Sequence, residues 1–292
     1  MSALTVLTAG PLTTVQDLGR PGYAALGVSG SGALDRRALT LGNRLVGNDE
    51  GAAGLEIAVG GFSGVADRDV WIAVTGAWGP VSVGGRLVDP NHPVFVPAGT
   101  ALEIGPAEFG LRYYVAVGGG WDVPPVLGSR STDLLSGIGP APVRDGDVLP
   151  IGSPHTAGIP ALDVAPWSPP DLGPVSVPLS VGPRADWFAP GALERLFTDT
   201  WTFSAASNRV GARLEGRPLD RSLAAEARGE LPSEGMVAGA LQVPPSGLPT
   251  VLLADHPTTG GYPVIAVVAS GALDVFAQLR PGQQLTFRHA RP

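Results

Sequence analysis

Residues 70–88 read VWIAVTGAWGPVSVGGRLV. Two short strand signals, 81–83 and 86–88, flank Gly84-Gly85, and a Gly-Gly pair between such runs marks a two-residue β-hairpin. The run 70–75 ahead of them reads as a further strand. Outward from this hairpin the same signal continues at 4–7 and 55–59 on one side and at 94–96, 101–104 and 111–117 on the other. Short strands at this spacing suit a closed or nearly closed barrel better than a βαβ sheet.

The second half loosely repeats the pattern at 237–243, 251–254, 264–268 and 285–287. A turn-then-strand phrase recurs as PAGTALEIG from Pro97, RDGDVLPIG from Arg144 and RPGQQLTFR from Arg280, each with a glycine in the turn. Helical spacing is confined to two places. Leu34, Ala38, Leu41 and Leu45 form one apolar stripe, with Ser31 able to cap its start, Gly47-Asn48 suited to its end, and Asp35, Arg36, Asn43 and Arg44 on the polar face. A second short helix fits 186–197, with Leu193, Leu196 and Phe197 on one side. The expected architecture is mainly β: one barrel over 1–155, a proline-rich connection over 156–174 and a second barrel over 175–292, with about one short helix each.

Composition narrows the chemistry. The chain has 292 residues, a net charge of -7 and 15% charged residues. It contains no cysteine and no lysine, so all 19 basic residues are arginine. Thiol nucleophiles, thiolate metal sites and disulfides are excluded, as are a Schiff-base lysine, a Walker lysine and a biotinylated lysine on this chain. The acidic balance and scattered arginines speak against a nucleic-acid surface. The start, MSALTVLTAGPLTT, has no basic leader pattern, and no uncharged apolar run is long enough to span a bilayer. The expectation is a cytoplasmic protein with no membrane contact. No G-x-S-x-G elbow occurs; Gly30-Ser31-Gly32 begins like a dinucleotide fingerprint but lacks its last glycine and its βαβ setting. His92, His155, His256 and His289 lack zinc-site spacing.

Polar clusters remain as candidate sites. Gln16, Asp17, Arg20 and Tyr23, followed by Ser29, Ser31 and Asp35, could bind an anion and position a proton acceptor; equally, Asp17 and Arg20 could pair and pin a turn. The stretch 255–263, DHPTTGGYP, follows the strand 251–254, where Gly260-Gly261 lets a ligand approach the backbone; the alternative is a decorated turn with Asp255 capping free N–H groups. The stretch 128–132, GSRST, could hold a phosphate or carboxylate, or be a solvated loop.

In order along the chain stand TTVQDLGRPGY (13–23), SGALDRRALTLGNRLVGN (31–48), LEIAVGG (55–61), VTGA (74–77), GGGWDVPPVLGSRST (118–132), EGMVAGALQVPPSGLPTVLLAD (234–255) and TTGGYP (258–263). This series resembles the family of C-type 5-oxoprolinase subunits, also called allophanate hydrolase subunit 2 or biotin-dependent carboxyltransferase domain, which includes a sporulation kinase-inhibitor antagonist of bacilli. The resemblance implies tandem cyclophilin-like β-barrels and a sister cyclophilin-like subunit, of the B type in 5-oxoprolinase or the allophanate hydrolase subunit 1 type. It further implies ATP-dependent opening of 5-oxo-L-proline to L-glutamate, with a third subunit and magnesium, and no turnover by the isolated chain. The alternatives it leaves are a carboxyltransferase component of a urea-type biotin pathway and a non-catalytic regulatory binding protein.

By position in these motifs, Asp17, Asp35 and Asp255 are the expected catalytic carboxylates, with Asp17 or Asp255 orienting water or acting through magnesium. Gln16, Arg20, Ser31, Arg130, Thr258, Thr259, Gly260, Gly261 and Tyr262 are the expected substrate and ATP contacts, with Arg20 and Arg130 holding anionic groups. Relatives commonly carry a glutamine before and a lysine after the last phrase; this chain has Pro257 and Val264 there, in keeping with its lack of lysine throughout.

Overall fold

The structure, a computed structural model, describes residues 2–153, 159 and 168–290. His155 and much of the expected 156–174 connection lie outside the described residues. The chain is mainly β with short helices, and it divides into two compact units. The first takes residues from 1–20, 31–133 and 137–170; the second takes 21–30, 134–136 and 171–292.

In the first unit a six-stranded and a five-stranded sheet share one core. The strand Phe109–Val117 shows how. Tyr113, Val115 and Val117 point into that core, while the alternate residues Tyr114 and Ala116 face the helix Arg36–Leu45. Period-two alternation thus buries both faces of the strand. Small residues let the helix lie close: a Cβ on Gly42 would meet Thr75 Oγ1 at 3.3 Å and Ala116 Cβ at 3.4 Å. Thr75 Oγ1 donates to the Ala38 carbonyl at 2.7 Å and ties helix to sheet.

The cap of that helix differs from expectation. Asp35 caps it, accepting from Ala38 N at 2.9 Å. Ser31 lies too far upstream and sits in the left-handed region at φ 50°. Asn43 is buried rather than on the polar face, its amide donating to the carbonyls of Glu50 (3.2 Å) and Ala52 (2.7 Å), which secures the turn leaving the helix.

The second unit contains a closed seven-stranded barrel, running in order through Val175–Val181, Val264–Val268, Ala240–Gln242, Thr250–Leu252, Gly211–Glu215, Trp201–Phe203 and Gln284–His289. It closes by parallel pairing of Val175–Val181 with Gln284–His289, and closure removes free sheet edges. The expected helix at 186–197 resolves into a 3₁₀ turn, Ala185–Trp187, and the helix Ala192–Thr198, interrupted where Pro190 disfavours helical continuation. Leu223–Arg228 and Val275–Gln278 add helices the apolar pattern did not signal. The recurring turn-then-strand phrases all form, with Gly99, Gly146 and Gly282 at positive φ ahead of Ala101–Ile104, Val148–Ile151 and Gln284–His289. Among the described residues no helix is long and apolar enough to cross a membrane.

Candidate functional site

In the first unit the strand Leu12–Gln16 delivers Gln16, Asp17 and Arg20 beside the segment 129–132. Asp17 and Arg20 do not pair. Asp17 Oδ1 accepts from the Ser129 and Ser131 hydroxyls at 2.6 and 2.5 Å and from Gly19 N at 2.7 Å, and Oδ2 accepts from Arg130 N at 2.6 Å. The carboxylate is thus a clamp on 129–131, and charge-assisted bonds of this kind are about twice as strong as neutral ones. The Arg20 guanidinium donates to the backbone carbonyls of Ser131 and Val126. Its Nη1 is buried with no partner.

Two further polar atoms of this region are buried without partners. Gln16 Nε2 donates to Thr14 Oγ1 (3.0 Å) and to the Thr132 carbonyl (2.9 Å), leaving its Oε1 unbonded, and Thr132 Oγ1 is likewise unbonded. Ser31 Oγ donates to the same Thr132 carbonyl at 3.1 Å. Gln16, Arg20 and Ser31 therefore converge on consecutive carbonyls of one short segment. Thr132 belongs to the stretch 128–132 that the sequence offers as an anion holder, although it is not among the expected individual contacts.

The expected partners of this group go elsewhere. The Arg130 side chain turns to Val123 O (2.7 Å) and to Asp122 Oδ1 (3.0 Å). With its guanidinium so held, Arg130 contributes its backbone N–H to Asp17. Asp35 is the helix cap described above, and its N–H donates to Tyr114 Oη at 2.8 Å. Tyr114 Oη in turn donates to Glu56 Oε2 at 2.7 Å, which also accepts from Leu34 N at 3.0 Å. Burial, with the Glu56 and Asp35 charges adding to it, pushes the Tyr114 phenol well above its ordinary range. Asp35 thus belongs to a structural network.

In the second unit Asp255 is fully buried and Arg209 is 1% exposed. They form a two-pronged ion pair, Nε to Oδ2 and Nη2 to Oδ1, both 2.9 Å, and Leu134 N adds a bond to Oδ2 at 3.1 Å. Arg209 was not legible in the sequence, because it lies in SNRVG, far from Asp255. Thr259–Gly260 forms a short antiparallel ladder with Glu234–Gly235. The phrases EGM and TTGG are thereby brought side by side, with the Thr258 carbonyl accepting from Met236 N at 2.9 Å. Thr259, Gly261 and Tyr262 are exposed, Tyr262 at 47%. Val264 is buried against Met236, Ala240 and Leu252, an apolar setting that suits valine.

Magnesium does not fit at Asp17 or Asp255. Their oxygens already accept from N–H and O–H donors, and those donors would have to be displaced before a hard cation could bind. Among the described residues no group of His, Asp or Glu is arranged to hold a metal ion.

The family model described as "Carboxyltransferase domain, subdomain A and B" matches residues 26–289. The chain belongs to that family. The C subunit of 5-oxoprolinase from Escherichia coli (strain K12) is 39% identical over 287 residues, which cover 97% of this chain and 90% of the relative. Urea amidolyase of Lachancea kluyveri is 32% identical across 98% of this chain, a match spanning only 17% of that larger protein. The crystal structure of the Kluyveromyces lactis urea carboxylase superposes with a TM-score of 0.89 at 30% identity, over 99% of this chain and 27% of the other. The carboxyltransferase-domain match takes in the segment 129–132 and the whole polar region of the second unit, while Gln16, Asp17 and Arg20 precede it.

Proposed function

We propose that this chain is a component of an ATP-dependent 5-oxoprolinase, opening 5-oxo-L-proline to L-glutamate in the cytoplasm with a sister B-type subunit and a third subunit. Similarity over nearly full length to the C subunit of a 5-oxoprolinase supports the reading. Within the chain it is carried by the buried Arg20 Nη1, Gln16 Oε1 and Thr132 Oγ1, all without partners. Each such group costs a fold about 1–3 kcal/mol, so keeping three in one region points to use rather than stability.

The donor and acceptor set matches a cyclic amide. Gln16 Oε1 can accept from the lactam N–H, while Arg20 Nη1 and the Thr132 hydroxyl can donate to the lactam oxygen or to an anion formed on it. A lactam resists hydrolysis because its amide is resonance-stabilised. Transfer of the ATP γ-phosphoryl to the lactam oxygen makes that oxygen a leaving group. Water then adds at the carbon, the C–N bond breaks to free the amine, and a second water releases phosphate. A buried guanidinium stabilises the charge that develops at that oxygen. In the isolated chain these atoms are closed to solvent, so in this reading assembly opens the 129–132 segment and the chain alone is inactive.

The test is glutamate release from 5-oxoproline and ATP by the reconstituted complex. Arg20→Ala is expected to lower kcat/KM about tenfold to a hundredfold, the equivalent of one lost charge-assisted bond. Thr132→Val, which removes a hydroxyl with no protein partner, is expected to lower it less while leaving the melting temperature near wild type. Unchanged kinetics in both variants would refute the assignment. The urea amidolyase similarity favours a second reading, carboxyl transfer from carboxybiotin to urea. With no lysine here, the biotin would ride on another chain. Carboxylation of urea without glutamate release would select it.

A further inference from the structure

We propose that Arg184 and Glu234 are positioning residues that hold the segment 258–262 in place for ligand. Neither was singled out by the sequence. The inference rests on the proposed role of this segment in contacting substrate or ATP.

The geometry starts from a surface strand that has little of its own to hold it. Among the described residues Thr259–Gly260 pairs only with Glu234–Gly235, and a two-residue ladder is too short to be stable by itself. Glu234 is fastened from its other side. Its carboxylate takes a two-pronged contact from Arg184, Nη2 to Oε1 and Nε to Oε2, the latter at 3.1 Å. Arg184 is itself anchored, its backbone N–H donating to the Val264 carbonyl at 3.1 Å while Gly182 N donates to Ile265 O at 2.8 Å. Val264 begins the barrel strand that directly follows 258–263.

The ion pair therefore joins the partner strand of the segment to the barrel strand into which the segment runs, and closes a clasp around it. Beneath, Gln242 Nε2 contacts Met236 Sδ at 3.1 Å, and a Cβ on Gly260 would meet that same nitrogen at 2.6 Å. The segment is thus seated on Met236 and Gln242 with no space for a side chain at Gly260. Hydrogen bonding from Arg184 holds Glu234 below the usual carboxylate range, which keeps it charged and paired at neutral pH.

Because the pair is part-exposed, at 38% for Arg184 and 27% for Glu234, its removal should change global stability little. What it fixes is geometry, since a planar fork on a carboxylate sets orientation as well as distance. This separates a positional role from a merely structural one.

The experiment uses the full-length chain with Arg184→Gln, Glu234→Gln and the exchanged pair Arg184→Glu/Glu234→Arg. Amide hydrogen exchange should speed up at Met236 and through 258–262 in the single variants, while the barrel strands keep their protection and the melting temperature stays near wild type. The exchanged pair should recover protection. In the reconstituted complex the single variants should raise KM for 5-oxoproline or for ATP several-fold with kcat retained, and the exchanged pair should lower it again. Unchanged exchange, protection lost throughout the barrel, or local loosening with both KM values unaltered would each overturn the proposal. If the wild-type complex releases no glutamate, the functional reading fails, and the exchange measurement alone decides whether the pair positions the segment.

Discussion

Asp17 and Arg20 carry opposite charges within one turn-like stretch, and local reasoning allows them to pair; the fold instead gives each a different carbonyl or hydroxyl partner. Charge and spacing made both residues visible, but the choice of partner depends on 129–132, which is distant in sequence. The same holds for Asp255 and Arg209. Asp17→Ala would strip the acceptor from Gly19 N, Arg130 N and two serine hydroxyls, and is expected to cost about 3 kcal/mol, read as a lower midpoint in urea denaturation. Tyr114→Phe tests the neighbouring network. It removes the bond to Glu56 and the acceptor for Asp35 N, with an expected loss of about 1–2 kcal/mol at neutral pH. Burial raises the folded phenol above the ordinary tyrosine value of 10.0. Between the unfolded and folded values the unfolded chain binds fewer protons, so this contribution is full below about pH 10 and declines as pH rises beyond it. Denaturation curves from neutral to strongly alkaline pH should therefore show the gap between wild type and Tyr114→Phe narrowing above that point.

Among the elements, strands with an apolar alternation or a glycine turn ahead of them were legible: Val81–Val83, Val94–Val96, Ala101–Ile104 and Val264–Val268 fall where their residues place them. Leu12–Gln16 has no apolar alternation to mark it as a strand, because Thr13, Thr14 and Gln16 are buried through hydrogen bonds rather than by apolar contact. Thr259–Gly260 and Glu234–Gly235 carry no strand signal at all; they pair because Met236 and Gln242 provide a seat. That seat makes a sharp test. Gly260→Ala places a Cβ 2.6 Å from Gln242 Nε2, and the amide has to leave Met236 to make room. The expected cost is about 1–2 kcal/mol, as for other overpacked sites. Because the obstruction is the end of one flexible side chain, Gly260→Ala/Gln242→Ala should recover most of that loss, and a double-mutant cycle in urea would measure the coupling directly.

At the level of the whole molecule, the chain enters the second unit more than once before it builds the barrel. Residues 21–30 and 134–136 cluster with 171–292, although long stretches of the first unit separate them. The short visit at 134–136 has an identified energetic purpose, because Leu134 N is a donor to the buried Asp255 carboxylate, beside the Arg209 guanidinium. A chain cut after residue 170 would therefore leave the C-terminal piece with its barrel strands but without two segments of its own unit. Arg209 would still pair with Asp255, but the carboxylate would lose a charge-assisted bond of about 1.5–3 kcal/mol. Against a typical domain stability of about 5–15 kcal/mol that is a substantial fraction. Expressed alone, 171–292 should retain strand-type circular dichroism yet unfold at lower urea than the same barrel in the full-length chain. Co-expression with 1–170, which restores both missing segments, should bring the midpoint back up. Equal midpoints for the lone piece and the intact protein would mean that 21–30 and 134–136 contribute nothing to the barrel, and that the bond from Leu134 N to Asp255 adds no stability.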